Sequence, residues 1–185
     1  MFVAYGLYFK IQNNITEIDY SLLKNGDLVL RCGKSTESYA VHIADATSEF
    51  THIGILIFEN NNPYVIHAVP HKLNTVKKDA FTDFCSPKKA SKIAVYRSSL
   101  TNSKIQHICN EAIRFYNEKY VFDSKYDLKT NKQLYCTELI LKAFKNSGIQ
   151  LHLQSKEFNY MFGKHAIIFP SEFTKLPFKK VNINS

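Results

Sequence analysis

Two apolar, β-branched runs set close together constrain this chain most. His52-Ile-Gly-Ile-Leu-Ile-Phe58 is followed, after Asn60-Asn61-Asn62-Pro63, by Tyr64-Val-Ile-His-Ala-Val69. Runs of this length, bounded by Asn and Pro, predict two buried strands joined as a hairpin. Each run carries one histidine, His52 at the head of the first and His67 inside the second. Packing alone gives no reason for an imidazole at either place. A hairpin would set the two rings side by side.

Weaker signals surround the hairpin. Asn25-Gly26-Asp27 marks a turn, and Leu28-Val-Leu-Arg-Cys32 after it a short strand. Tyr39, Ile43, Ala46 and Phe50 recur at helical spacing and predict a helix within 35–50. Ile93-Ala-Val-Tyr-Arg97 predicts another strand. Ile105, Ile108, Cys109, Ala112, Ile113 and Tyr116 share one face of a helix over 103–118. A second helix is predicted from Cys136 to Ser147, its apolar face formed by Leu139, Ile140, Ala143 and Phe144 and its end marked by Gly148. The segment 150–185 reads as loop, with a turn or short helix starting at Pro170-Ser171. The order strand, helix, several strands, helix, helix predicts an α+β fold with an antiparallel sheet in one domain over 1–185, its core spanning about 22–175.

The four cysteines, Cys32, Cys85, Cys109 and Cys136, are far apart and form no CxxC or CxxxC. That disfavours a structural zinc site, and four cysteines in 185 residues are too few for a disulfide scaffold. A chain this long buries roughly 70% of its unfolded surface and needs no such staple. Cys109 is expected in the core, and Cys32 and Cys85 as structural residues. His42, His71, His107, His152 and His165 are expected at the surface or rim. A zinc site joining His52, His67 and His71 lacks a supporting Cys or carboxylate pattern, so neither metal nor cofactor is expected.

No apolar run reaches the roughly 18 residues that a membrane span needs. The apolar start Met1–Lys10 has no basic n-region and no A-x-A-like site. It reads as a strand or helix packing on the core, with a truncated export segment as the alternative. The formal net charge is +8, but the lysine pairs Lys77-Lys78, Lys88-Lys89 and Lys179-Lys180 are scattered. No basic stripe is interleaved with aromatics, so no nucleic-acid partner is expected. An anionic substrate or envelope surface fits the charge.

Cys136 is set apart by position. It follows a polar, extended stretch and opens a helix, where unpaired N–H groups and the helix dipole favour a thiolate. It also lies three and four residues before Leu139 and Ile140, and so turns inward with the apolar stripe. A thiol at a helix start, with one imidazole to take its proton and another to orient the first, is the constellation of a cysteine hydrolase.

These residues resemble a family. Thr51-His-Ile-Gly-Ile55 with Tyr64-Val-Ile-His-Ala68 is similar to the histidine hairpin of NlpC-type, papain-like cysteine peptidases. In most members the cysteine precedes the histidine, whereas here it follows in Leu134-Tyr-Cys-Thr-Glu-Leu-Ile140. That order resembles the circularly permuted branch that includes the YiiX-like bacterial proteins. Gly26-Asp27, Tyr135-Cys-Thr-Glu-Leu139 and Pro170-Ser171 match the branch's opening turn, cysteine block and terminal dipeptide. The resemblance covers roughly residues 22–175.

The resemblance implies Cys136 as nucleophile, His52 as general base and acid, and His67 as the residue orienting His52. It implies the Cys136 N–H as an oxyanion donor, with Tyr135 shaping the site. Many branch members carry a carboxylate where His67 stands, and a neutral imidazole stabilises a charged His52 less. The implied activity is thiol-dependent cleavage of an amide in a peptidoglycan-type peptide or other cell-envelope molecule, in a bacterial envelope or periplasm. Two rivals stand beside it: a lipid acyl hydrolase or acyltransferase of the lecithin:retinol acyltransferase type, and a non-catalytic binding module on the same fold. Peptide or acyl-amide substrates are thus the expected partners, and the sequence sets no oligomeric state.

Overall fold

A computed structural model describes residues 18–45, 48–70, 75–160 and 163–183. The N-terminal segment Met1–Lys10, Ala46, His71 and the side chain of His165 lie outside the described part. The centre is a six-stranded sheet in the order β10-β5-β1-β2-β3-β4. Its strands are β1 (Leu28–Gly33), β2 (His52–Glu59), β3 (Asn62–Ala68), β4 (Val76–Ala80), β5 (Ala90–Arg97) and β10 (Lys179–Val181), and every neighbouring pair is antiparallel. The α+β expectation holds.

The predicted hairpin is β2–β3. Its turn is tighter than expected: Asn60 and Asn61 both have positive φ, 51° and 61°, and Asn62 already pairs with Glu59. Asparagine tolerates this left-handed backbone, which two-residue hairpins require at both central positions.

The sheet has two covered faces. Leu30, Ile53, Ile55 and Ile66 pack against α3 (Asn102–Asn117) and α4 (Cys136–Asn146) in the main core. Val29, Leu56, Val65 and Val95 face the other way, onto Phe81 and Phe84 of the one-turn α2 (Phe81–Phe84). The helix α4 closes as predicted. Gly148 has φ 74°, its N–H reaches the Lys145 carbonyl, and the Ile149 N–H reaches that of Phe144, which satisfies the last turn.

Three segments differ from the sequence reading. The helix α1 stops at Ala44 (Thr36–Ala44), because Ser48 and Phe50 form a local turn through the serine hydroxyl. Tyr39 and Ile43 are then 67% and 64% exposed, so the apolar spacing does not mark a buried face, and Phe50 enters the core from beyond the helix. The strand β4 was not expected, since Val76-Lys-Lys-Asp-Ala80 reads as polar. The tail is loop only in part: the short helix expected from Pro170-Ser171 is a 3-10 helix over Pro170–Lys175, but the hairpin β8 (Lys156–Tyr160) and β9 (Gly163–Ile167) and the edge strand β10 were not expected. The short strands β6 (Val121–Phe122) and β7 (Gln133–Leu134) pair in parallel just before α4.

Two motif positions have structural work. Asp27 is fully buried, accepts two hydrogen bonds from Arg97 at 2.7 Å, and accepts the Lys24 N–H. It ties the opening turn to β5. Ser171 donates to the buried Asp45 carboxylate, which also pairs with Lys156 at 2.7 Å, so the tail is strapped to the end of α1. Breaking a buried ion pair leaves one group unsatisfied and costs about 3 kcal/mol or more. Asp27→Ala is therefore expected to lower unfolding free energy by about that amount in urea denaturation, and an unchanged midpoint would remove Asp27 from this role.

Candidate active site

The site is assembled from the ends of five elements around one cleft of about 550 Å³. Side chains on β1, β2, β3 and β4 alternate between faces. Register sets Arg31 opposite His52, Lys77 opposite His67, and Asp79 two residues beyond Lys77 on the same face. All five thus project to the side of the sheet that carries Phe84.

His52 and His67 are buried, 8% and 1% exposed, and His52 Nε2 lies 2.8 Å from His67 Nδ1. His67 Nε2 then faces Asp79 Oδ2 at 3.3 Å, a long and poorly aligned contact that is still the carboxylate nearest this buried nitrogen. The predicted pairing of the imidazoles is present, and the carboxylate missing at position 67 is supplied one strand further on. The sequence did not reveal Asp79, because it lies in a stretch with no strand signal.

One pair of tautomers fits this chain of contacts, with Asp79 as the acceptor at its end. The Asp79 carboxyl is held down at about 2, first by its hydrogen bond to His67, so it accepts only. His67 Nε2 therefore carries the proton, and His67 Nδ1 accepts. His52 Nε2 must donate to it, which leaves the lone pair of a neutral His52 on Nδ1. A base with its free nitrogen turned away from its supporting partner is what proton abstraction needs.

Burial lowers both histidines, His52 well below its ordinary value and His67 less, since Asp79 opposes the shift. The rings pack on Phe84, at 5.7 Å and 4.9 Å between centroids, and the Arg31 guanidinium lies 4.3 Å over the same ring. Arg31 donates to the Phe84 carbonyl at 2.9 Å, and its buried Nε has no hydrogen-bond partner among the described residues. Arg31 was also missed by the sequence reading, where it looked like an ordinary strand residue.

Gly54 explains the His-x-Gly spacing. A Cβ there would lie 2.4 Å from Val65 Cγ1, 2.8 Å from the Ile66 carbonyl oxygen and 3.1 Å from His67 Cβ. The missing side chain lets β3 close in and carries His67 over to His52.

Cys136 arrives from the opposite face. It is the first residue of α4, which packs on the main core beside β2. The β2–β3 pairing runs only from Ile55–Ile66 to Glu59–Asn62, so the strands part near Ile53. The Ile53 N–H there reaches the Cys136 sulfur, as do the N–H groups of Thr137 and Cys136 itself. The thiol thus sits beside the backbone next to His52, at the opening between two strands. Cys136 and His52 line the same cleft, without a direct hydrogen bond between them among the described residues.

The expected low thiol pKa is not found. Burial pushes Cys136 up to about 11 and outweighs the backbone donors and Arg31. Cys85 and Cys109 are pushed higher, to about 12. Burial thus raises the thiol and lowers His52, and both shifts oppose a standing ion pair. All four cysteines are free. His42, His107 and His152 are exposed, as expected.

Tyr135 caps α4 and is 2% exposed, its ring set edge-on to Tyr126 at 5.3 Å. It forms part of the cleft wall. The Glu138 carboxylate accepts the Tyr135 N–H at 3.3 Å and pairs with Lys142 at 2.8 Å. The Tyr-Cys-Thr-Glu block is thus a helix-start clasp, which holds the turn that presents the thiol.

Comparison with known proteins gives the family and the fold. Residues 22–177 match the family described as permuted papain-like amidase enzyme, YaeF/YiiX, C92 family. The uncharacterised protein YiiX of Escherichia coli (strain K12) is 26% identical over 136 residues, which cover 72% of this chain. The match spans 63% of that relative's length. The crystal structure of the metalloprotein YiiX from Escherichia coli O157:H7 shares the fold, with a TM-score of 0.69 at 19% identity over 87% of this chain and 97% of that one.

The neighbour's description as a metalloprotein invites a test of the donors here. Among the described residues no three His, Cys, Asp or Glu side chains are grouped to share an ion. His52 Nε2 and His67 Nδ1 are engaged with each other, and His67 Nε2 with Asp79. Among the described residues, these three nitrogens are thus engaged within the protein and no metal-binding set is formed.

Below pH about 6.5 an unfolded histidine binds a proton. Folded His52 and His67 resist it, so each contributes a loss of stability on acidification, at most about 1.4 kcal/mol per pH unit. Asp79 acts lower, stabilising above its ordinary value and losing that contribution as pH falls towards about 2. In NMR titration both imidazoles are expected to stay neutral at pH 6, and a midpoint at or above 6.5 would contradict the tautomer chain. Gly54→Ala is expected to cost about 1–3 kcal/mol by overpacking, and to raise the His67 midpoint as the ring is pushed to water. Normal stability with unshifted histidines would show that Gly54 does not hold the pair together.

Proposed function

Because this chain belongs to the family of permuted papain-like amidase enzymes, we propose that it is a cysteine hydrolase that cleaves an amide through Cys136, His52 and His67, with Asp79 behind them. The observation that carries the reading is the His52–His67–Asp79 chain, which leaves the free nitrogen of His52 in the cleft with the Cys136 thiol. A non-catalytic module would have no need for two buried imidazoles backed by a carboxylate.

The chemistry follows from those positions. Substrate places its carbonyl carbon against Cys136 Sγ. The sulfur attacks as His52 Nδ1 takes the thiol proton, and a tetrahedral oxyanion forms. The Cys136 N–H at the start of α4 is the donor placed for that oxygen. His52, now an imidazolium, is stabilised by the His67 lone pair and by the Asp79 charge one ring away. It returns the proton to the departing amine as the C–N bond breaks, and a thioester remains. Water attacks the thioester with His52 again as base, and Cys136 regains its proton as the acid leaves.

A substrate from the bacterial cell envelope, with an amide in a peptide or acyl-amide linkage, fits a cleft of this size and charge. Five cationic side chains line it, which suits a polar amide, while its apolar lining leaves a lipid ester as the second reading.

Incubation with a mixed library of peptides and acyl amides, read by mass spectrometry, tests the proposal. Wild type is expected to release amines and to show a thioester adduct on Cys136, and Cys136→Ala to do neither. Asp79→Asn can donate as well as accept, so it no longer forces the tautomers. It is expected to lower turnover about tenfold to a hundredfold with the fold intact. Turnover that survives Cys136→Ala would overturn the proposal.

A further inference from the structure

The charged side chains around the cleft are unevenly distributed. Arg31, Lys34, Lys77, Lys88 and Lys89 line it, against the single carboxylate of Asp79, which already faces His67. Leaving the histidines aside, the lining carries a surplus of positive charge. The cations come from the end of β1, from the turn entering β5 and from β4. The rest of the lining is largely apolar and aromatic, with Val41, Ala68, Phe122 and Tyr126 among it.

Several of these cations are occupied. Lys34 donates to the Pro87 carbonyl at 2.7 Å, and Lys89 pairs with Asp83 at 2.5 Å. Lys77 and Lys88 make no hydrogen bond or ion pair among the described residues. Arg31 spends one nitrogen on a carbonyl and keeps a buried Nε–H without a partner. Buried donors of this kind are costly unless a ligand completes them. Arg31, Lys77 and Lys88 line one cleft with the nucleophile, and a guanidinium and two ammonium groups there can hold an oxyanion by charge-assisted hydrogen bonds.

We propose that the substrate carries an anionic group, a carboxylate or a phosphate, close to the scissile amide, and that Arg31, Lys77 and Lys88 hold it while the apolar lining takes the adjoining part. The inference rests on Cys136 as the nucleophile, and it names the class of molecule that reaches it. The +8 net charge is then partly a feature of the site and not only of the solvated surface.

Two measurements on the full chain separate this inference from the amidase reading. The first compares alkylation of Cys136 by anionic iodoacetate and neutral iodoacetamide at low salt, in wild type and in Lys77→Met/Lys88→Met. The iodoacetate-to-iodoacetamide rate ratio is expected to fall severalfold in the double variant and in high salt. Lys179→Met, on the far edge strand, is expected to leave it unchanged. The second is calorimetric titration with N-acetylglutamate, its diamide and glycerol 3-phosphate. Lysine-dependent binding of N-acetylglutamate assigns the anion as a carboxylate, and of glycerol 3-phosphate alone as a phosphate, while the diamide is expected not to bind. Anion binding with an inert Cys136 keeps the anion site and removes the nucleophile. A reactive Cys136 with no anion preference, and no binding of either anion, overturns the inference and leaves the amidase reading intact.

Discussion

The site depends on a row of three polar side chains, two buried imidazoles and a half-buried carboxylate, that crosses three neighbouring strands. His52, His67 and Asp79 meet only if β2, β3 and β4 keep one register, since a slip of one residue would turn each side chain to the other face. The tight Asn60-Asn61 turn and the Gly54 close approach fix that register. Phe84 forms the floor on which both imidazoles and Arg31 rest. The smaller core behind the sheet therefore serves chiefly to position polar groups.

The nucleophile reaches that row from the other side of the sheet. The helix α4 packs on the main core, yet its first residue emerges where the β2–β3 ladder has opened, and the freed Ile53 N–H meets the sulfur. This arrangement is indifferent to chain order. Whether the cysteine precedes or follows the histidine in sequence, a helix start and a strand end meet at one gap. Burial raises the thiol and lowers the imidazoles, which favours the neutral form of each. Charge develops only as the proton moves, where Asp79 on one side and the α4 start on the other are placed to stabilise it.

Much of this was legible in the sequence. The hairpin, the helices α3 and α4, and the set apart Cys136 follow from β-branched runs, 3.6-residue periodicity and a polar-to-apolar boundary. Asp79 was not legible. Val76-Lys-Lys-Asp-Ala80 is held as a strand by its pairing with β3 and has no pattern of its own. Arg31 was hidden for a similar reason, since its role comes from lying opposite His52 across the sheet. The tail deceived because its order comes from distant partners, Asp45 for Ser171 and β5 for β10. The thiol's pKa was misjudged because a helix start was weighed without the desolvation of its surroundings. Local signals in this chain name the elements, and contacts distant in sequence decide which residues work together.

The most direct test of the account is the rate at which iodoacetamide alkylates Cys136 at pH 7, in wild type and in His52→Ala. A thiol held near 11 is almost entirely protonated at that pH, so rapid reaction requires a neighbouring base to take the proton. The account predicts that Cys136 outpaces Cys32, Cys85 and Cys109 in wild type, and that His52→Ala slows it about a hundredfold. Equal rates in the two proteins, or a Cys136 no faster than the buried Cys109, would contradict it.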